Sequence, residues 1–272
     1  MPDKKTISLS LDLEDWAWDY RFKHDFPRNV AENEKALLFA VKRFAELNRD
    51  EAGNRVSSLV YVTGNVIENY PSVLKYVEKC GLRLGCHCYD HVSFRDRDII
   101  TAREDLQKFL NVAKRNCVSI EPFFRAPMFS IKASDKAHLS LIFEYFKVES
   151  GTIAHQTSVN IIHSPVTKVN ILGWSLNLGG TFLSWMPVWL VRFVRSVLFF
   201  KNDLHVYLHP YELVNNPDFS IEFSELRSRF NFIKSAYYFF RQRQWNNHHG
   251  WTIEKKIQIL KYGRKMTNGT NV

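Results

Sequence analysis

Hydrophobic and polar residues alternate strictly in "TISLSLDLE" (6–14). Ile7, Leu9, Leu11 and Leu13 fall on one face, and Ser8, Ser10, Asp12 and Glu14 on the other. A period of two predicts a β-strand. "SSLVYVTG" (57–64), "LRLGCH" (82–87), "PFFRAP" (122–127), "EYFKVES" (144–150) and "LHVYLHP" (204–210) predict further short strands. Residues 31–48, 71–80, 97–115 and 222–241 read as the helices between them. Pro71 sits in the first turn of one of these helices and Gly81 just past its end, the usual asymmetry of helix termini. Strands alternating with helices predict an α/β fold, with a parallel sheet or barrel in one domain. From about residue 242 the chain reads as peripheral. The barrel is therefore assigned to 1–245 and a basic extension to 246–272, with the adjacent His248 and His249 as surface residues.

One apolar stretch, "FLSWMPVWLVRFVRSVLFF" (182–200), is interrupted by Pro187, Arg192 and Arg195. That makes it a poor spanning helix. As a helix it would place Arg192, Arg195 and Ser196 on one narrow face, with apolar and aromatic residues elsewhere. Such a helix either packs in the core or lies on a membrane surface.

Composition adds three constraints. Hydrophobic residues make up 45% of the 272 residues, enough for a sizeable core. The net charge of +9, from 37 Lys and Arg against 28 Asp and Glu, suits phosphate groups, acidic lipid or nucleic acid, or simply a basic surface. No nucleic-acid-binding motif accompanies the charge. Cys80, Cys86, Cys88 and Cys117 form no CxxC pair and read as reduced cysteines of a cytosolic protein. The N-terminus shows no signal-peptide pattern.

Candidate chemistry collects where strands are expected to end, as active sites do in α/β barrels. Asp12, Glu14 and Asp15 close the first strand. His87 and His91 follow the third, at i and i+4, which on a helical turn would project two imidazoles from one face. Neutral imidazole suits zinc and other first-row divalent metals, and a carboxylate can complete the site. Arg125 lies in "FFRAPMFS", where a guanidinium could orient a carboxylate. His209 ends the run "VYLHP", where a histidine can act as a general acid.

The ordered set "SLDLEDW", "HCYDH", "RAPMFS" and "LHP" resembles the motifs of the polysaccharide deacetylase family, carbohydrate esterase family four with its NodB-type homology domain. The resemblance spans roughly residues 6–215. The "DxEDW", "RAPxFS" and "HPxE" forms, and "LNLGGTFLSWMPVWLVR", look most like the subgroup associated with exopolysaccharide and lipopolysaccharide biosynthesis.

The resemblance implies a distorted (β/α) barrel of about seven strands and metal-dependent removal of an N-acyl group, acetyl or formyl, from a sugar. Asp12 would be the general base, Arg125 would orient it, and His209 would be the general acid. His87 and His91 would hold the divalent metal, zinc or else cobalt, nickel or manganese. The family's adjacent aspartate pair is spread out here, so the carboxylate ligand stays open. Alternation favours Glu14; the loop position and the family's usual aspartate favour Asp15. Asp90 is a candidate support for a histidine, and Glu149 for the family's fourth-motif acid. Trp16, Tyr89, Pro127 and Met128, with Trp174, are candidates to line a substrate pocket. The substrate would be nucleotide-linked or lipid-linked, in the cytoplasm or at the inner membrane face. A cyclic-amide hydrolase on a similar barrel, or a glycan-binding barrel without catalysis, are the other readings of the same residues.

Overall fold

The computed structural model describes residues 7–15, 21, 24, 26–27, 29–50, 52–54, 56–150, 166–171, 174–198, 204–214, 220–246 and 252–262. Six strands form one parallel sheet: β1 (Ile7–Leu13), β2 (Leu59–Val62), β3 (Arg83–Cys86), β4 (Phe123–Phe124), β5 (Val148–Glu149) and β8 (Leu204–Leu208), in the order β5-β4-β3-β2-β1-β8. β6 (Lys168–Ile171) and β7 (Trp174–Asn177) form a separate antiparallel ribbon. A parallel bridge from Gly179 to Tyr207 ties the chain after β7 to β8. About seven strands were expected in one barrel; among the described residues six share the sheet, and the ribbon adjoins its β8 edge.

Capping chemistry sets several helix starts. Helix α1 (Val30–Leu47) opens with Asn29 accepting from the Glu32 N–H. After β2 come α2 (Gly64–Asn69) and α3 (Pro71–Lys79), the latter with Pro71 as its first residue. Gly81, just past its end, takes φ +69, a left-handed conformation that costs a glycine little. Helix α4 (Ile99–Arg115) is capped by Asp98, whose side chain accepts from the Thr101 N–H at 2.8 Å. Helix α5 (Lys136–Tyr145) takes the first part of "EYFKVES", so only Val148–Glu149 pairs as a strand.

Two long helical readings are each divided. Residues 182–198 form α6 (Gly180–Trp185) and α7 (Val188–Leu198), broken at Pro187. Proline lacks the N–H that a continuing helix needs. Arg195 is half-buried and donates through Nε to the Leu260 carbonyl at 3.0 Å, so it does not share the exposed face of Arg192 and Ser196. Beyond the short α8 (Pro210–Leu213), the reading 222–241 splits into α9 (Phe223–Arg229) and α10 (Phe232–Asn246). The side chain of Asn231 accepts from the Lys234 N–H and starts the second of them.

The tail expected to be peripheral contributes α11 (Ile253–Tyr262), whose Ile253, Ile257 and Leu260 join the main hydrophobic core. Its Lys256 donates to the Leu183 and Ser184 carbonyls at the end of α6. Its Lys261 donates to the Leu47 carbonyl at the end of α1, at 2.6 Å. His248 and His249 lie outside the described residues.

Both faces of β1 are buried. Leu9, Leu11 and Leu13 pack with Leu37, Val41 and Phe44 of α1 in the outer core. Beyond the exposed Ser8 the polar face is not solvated: Ser10 and Asp12 are each 1% exposed. Parallel register aligns Asp12 with Tyr61 and Tyr61 with Gly85. A Cβ at Gly85 would lie 3.0 Å from the Tyr61 ring, so glycine there makes room for the tyrosine. The alternation of the first strand thus separates a helix-packed face from a polar interior face, not core from water.

Candidate active site

The strands all run one way, so their C-terminal ends deliver Glu14, His87, Arg125 and His209 to one side of the sheet. Glu14, His87 and His91 offer ligand atoms within 4.8 Å of one another. Glu14 Oε2 is 2.7 Å from His91 Nε2, and Glu14 Oε1 is 3.8 Å from His209 Nε2. Of the two acids left open by the sequence, Glu14 lies in this cluster. Asp15 is buried and accepts a hydrogen bond from the Tyr70 hydroxyl.

The cluster suits a divalent cation in three respects. The His87 Nδ1–H donates to the Arg125 carbonyl at 2.7 Å, which fixes the ring and leaves Nε2 as a lone-pair donor. Glu14 Oε2 is buried and, despite its approach to His91, has no aligned hydrogen bond among the described residues. Two imidazoles and a carboxylate are also the donor set expected of such a site. Burial opposes the charge of Glu14, but the charges of His91, His209 and His87 outweigh it and hold its pKa down at about 2. Burial dominates at His87 and lowers its pKa to about 4, so the ring is neutral at physiological pH, as a ligand must be.

The HxxxH segment is not helical. It is an irregular turn in which Cys88 takes φ 64. Backbone partners hold it: the Gly64 N–H donates to the Cys88 carbonyl at 2.9 Å and the Asn65 N–H to the Tyr89 carbonyl at 3.0 Å. The Tyr89 N–H donates to Asp105 Oδ2 at 3.0 Å, and Arg97 pairs with Asp105 at 2.8 Å and with Asp90. Asp90 therefore braces the turn through Arg97, not through a histidine. The histidine rings still meet, with centroids 5.4 Å apart.

Beside the cluster, Arg125 is fully buried. Its Nη1 donates to Asp12 Oδ1 and, at 2.9 Å, to Ser10 Oγ, while Nε donates to Ser150 Oγ at 3.2 Å. The guanidinium carbon lies 4.0 Å from the Tyr61 ring centroid. Ser10 Oγ also meets His205 Nε2 at 2.9 Å. Ser10, Ser150 and His205 were not anticipated. Only the interior placement of the polar face of β1, which a lone sequence does not reveal, brings them to Arg125.

His209 is braced from behind. Its backbone N–H donates to Glu212 Oε2 at 2.9 Å, and its Nδ1 lies 3.3 Å from Glu212 Oε1. The Tyr211 ring stacks on it at 4.8 Å and 12°. Burial works against the imidazolium, but Glu212, Glu14 and Asp12 together overcome this and raise its pKa to about 9. The "HPxE" form already contained Glu212, with no role assigned to it; it places an acid three residues on from His209, where a helix turn returns it.

The proposed lining residues are scattered. Pro127 is buried and begins a short 3₁₀ turn, in which Met128 is 58% exposed with φ 56. Tyr89 turns away from the cluster, its hydroxyl donating to Glu68 at 2.6 Å and its ring covered by Lys108. Glu149 is buried at the end of β5. Trp16 and the side chain of Trp174 lie outside the described residues. A cavity of about 390 Å³ lies at the opposite, N-terminal end of β3, beside Arg83, Leu84 and Glu121, and holds none of these groups.

No protein-family model matches the sequence, and no curated protein matches it. Solved structures do. A candidate polysaccharide deacetylase from Mycobacterium smegmatis matches with a TM-score of 0.52 and 15% identity, over 100% of this chain and 97% of that one. A family 4 carbohydrate esterase from Streptomyces lividans gives 0.46 and 12%, over 76% and 80%. A family 4 pseudoenzyme from Bacillus anthracis gives 0.46 and 12%, over 77% of this chain but 56% of that one. The first likeness establishes the fold: an α/β barrel of the polysaccharide-deacetylase type, opened into a parallel half-barrel.

Proposed function

We propose that this chain is a metal-dependent hydrolase that removes an N-acyl group, acetyl or formyl, from a sugar. One observation carries the reading: a cation-sized cluster of Glu14, His87 and His91 has beside it an arginine-clamped acid, Asp12, and a glutamate-braced imidazole, His209. The motif resemblance and the fold support it.

A divalent cation held by Glu14, His87 and His91, most simply zinc, with cobalt, nickel or manganese as alternatives, would supply Lewis-acid polarisation of the acyl carbonyl. The protein's own groups do the rest. Asp12, paired with Arg125, accepts the proton of the attacking water. Arg125 keeps that carboxylate facing the cluster. His209 gives its proton to the departing amine nitrogen, and Glu212 holds the ring for that transfer. Asp15 instead ties the end of β1 to the junction of α2 and α3 through Tyr70.

The net charge of +9 suits a phosphate-bearing substrate, so we assign a nucleotide-linked or lipid-linked sugar of a cell-surface polysaccharide or lipopolysaccharide precursor. The reaction would run in the cytoplasm, with peripheral membrane contact through 182–200. No helix among the described residues is long and apolar enough to cross a membrane.

The test combines metal content with a substrate panel. The wild type should bind one divalent ion per chain, and His87→Ala should lose it. Asp12→Asn and His209→Gln should keep the ion but lower kcat on the cleaved N-acyl sugar by ~100- to 10,000-fold. A wild type that takes up no zinc, cobalt, nickel or manganese would exclude the reading.

A further inference from the structure

Two helices linked through α6 expose apolar side chains in quantity. On α7, Trp189 is 68% and Phe193 58% exposed, with Val197 one turn further on the same face. Val191 and Val194 face inward. On α10, Phe232 is 64% and Ile233 80% exposed, and Tyr237 and Phe240 continue the face while Ser235 and Gln242 are buried. Helix α10 packs against α6, which ends in the exposed Trp185 and leads through Pro187 into α7. Soluble surfaces rarely gather this many large apolar groups without a partner.

On α7 and α10 themselves the charge has one sign, while α9, packed on α10, adds Glu222 and Glu225 beside Arg227 and Arg229. Neither α7 nor α10 contains an Asp or Glu. Arg192 is exposed among the α7 aromatics, and Lys234 among those of α10. Lys234 Nζ lies 4.5 Å from the Phe230 ring centroid, and Arg227 Cζ lies 6.0 Å from that of Phe232.

We infer that this flank docks on an anionic lipid bilayer, with α7 and α10 lying in the interface plane. Aromatic rings sit at headgroup depth, and cations beside them reach acidic phosphates. A second copy of the chain would bring cations against cations, with no acid on either helix to answer them. Helices α6 and α10 both pack on α8, the turn that His209 opens. Docking therefore holds the rim of the candidate site close to the headgroups and selects the lipid-linked form of substrate. That last step rests on the hydrolase reading; the docking does not.

Vesicle flotation of the full chain tests it. The wild type should float with vesicles of phosphatidylcholine containing about a third phosphatidylglycerol, less so in high salt, and far less with phosphatidylcholine alone. Trp189→Ser with Phe193→Ser, and separately Ile233→Ser with Phe240→Ser, should each lower the bound fraction roughly tenfold or more. These positions are exposed, so the fold is retained. Absence of flotation, or flotation undiminished in both double variants, would overturn the inference. So would a concentration-dependent dimer by light scattering that the same substitutions dissolve, since the face would then be a contact between copies. A catalytically silent protein that floats refutes only the hydrolase reading, and an active one that does not float refutes only the docking.

Discussion

At the scale of single residues, the Arg125–Asp12 pair concentrates the electrostatic risk of the fold. Both groups are buried, and removing one partner strands the other charge away from water. Arg125→Met should destabilise the chain by about 3–5 kcal/mol, while adding Asp12→Asn should recover part of that loss, because the stranded charge disappears with it. Urea unfolding of the two single variants and the double variant measures the coupling; strict additivity would show that the pair is not an electrostatic unit.

His87 and His209 contribute opposite limbs to the pH response of the metal-free protein. His87 has a folded pKa of about 4 against 6.5, so its contribution is present above pH 6.5 and is lost as the pH falls toward 4. His209, raised to about 9, contributes fully below pH 6.5 and loses that contribution as the pH rises through 9. The summed contribution of these two groups should therefore peak near pH 6.5, with each limb on the order of 3 kcal/mol; Lys256 and Lys261, both lowered to about 8 by burial, oppose the alkaline limb above that pH. Chemical denaturation across this range should show His87→Gln flattening the acid limb and His209→Gln the alkaline one.

Among the elements, the turn after β3 shows both the reach and the limit of sequence reading. The spacing of His87 and His91 was visible, and so was their place at a strand end. Their helical geometry was not correct, because the turn's conformation is imposed by partners distant in sequence: Gly64, Asn65, Asp105 and Arg97. Periodicity reports a segment's own preference, whereas this segment is shaped from outside. In 182–200 and 222–241 the limit is different: the apolar rhythm ran across Pro187 and Asn231, whose own chemistry ends one helix and starts the next. Gly64 offers a direct probe of the turn. A Cβ there would lie 2.5 Å from Tyr89 Cδ2 and 3.0 Å from Tyr89 Cα, so the backbone carrying the histidines must shift. Gly64→Ala should weaken divalent-metal affinity roughly 10- to 100-fold, the usual penalty for disturbing a ligand's support. Isothermal titration with zinc would read this, and unchanged affinity would mean that the turn yields without moving His87 or His91.

For the molecule as a whole, the order of strands and helices was legible because each carries its own period, and the four site segments were legible because parallel strands put their ends together. Ser10, Ser150 and His205 were not, since polar residues alternating with leucines read as a solvated face unless it is known that the sheet curls around them. The C-terminal segment was misread for a related reason. Its apolar positions, Ile253, Ile257 and Leu260, are few and interleaved with lysines, so it resembles a polar tail. Folding buries Lys256 to 1% exposure and uses its amine to cap α6, so the lysine serves the interior. Helix α11 packs on α1, α6, α7 and α8 at once, which makes it a brace joining the barrel wall to the flank that carries the exposed aromatics. Ile257→Ala should then lower the unfolding free energy by about 2–5 kcal/mol, the range for a truncated core isoleucine. In denaturant titration this would appear as a lower midpoint with an unchanged slope, if barrel and brace unfold together. A separate early transition, leaving the main one in place, would instead mark α11 as an appendage that the barrel folds without.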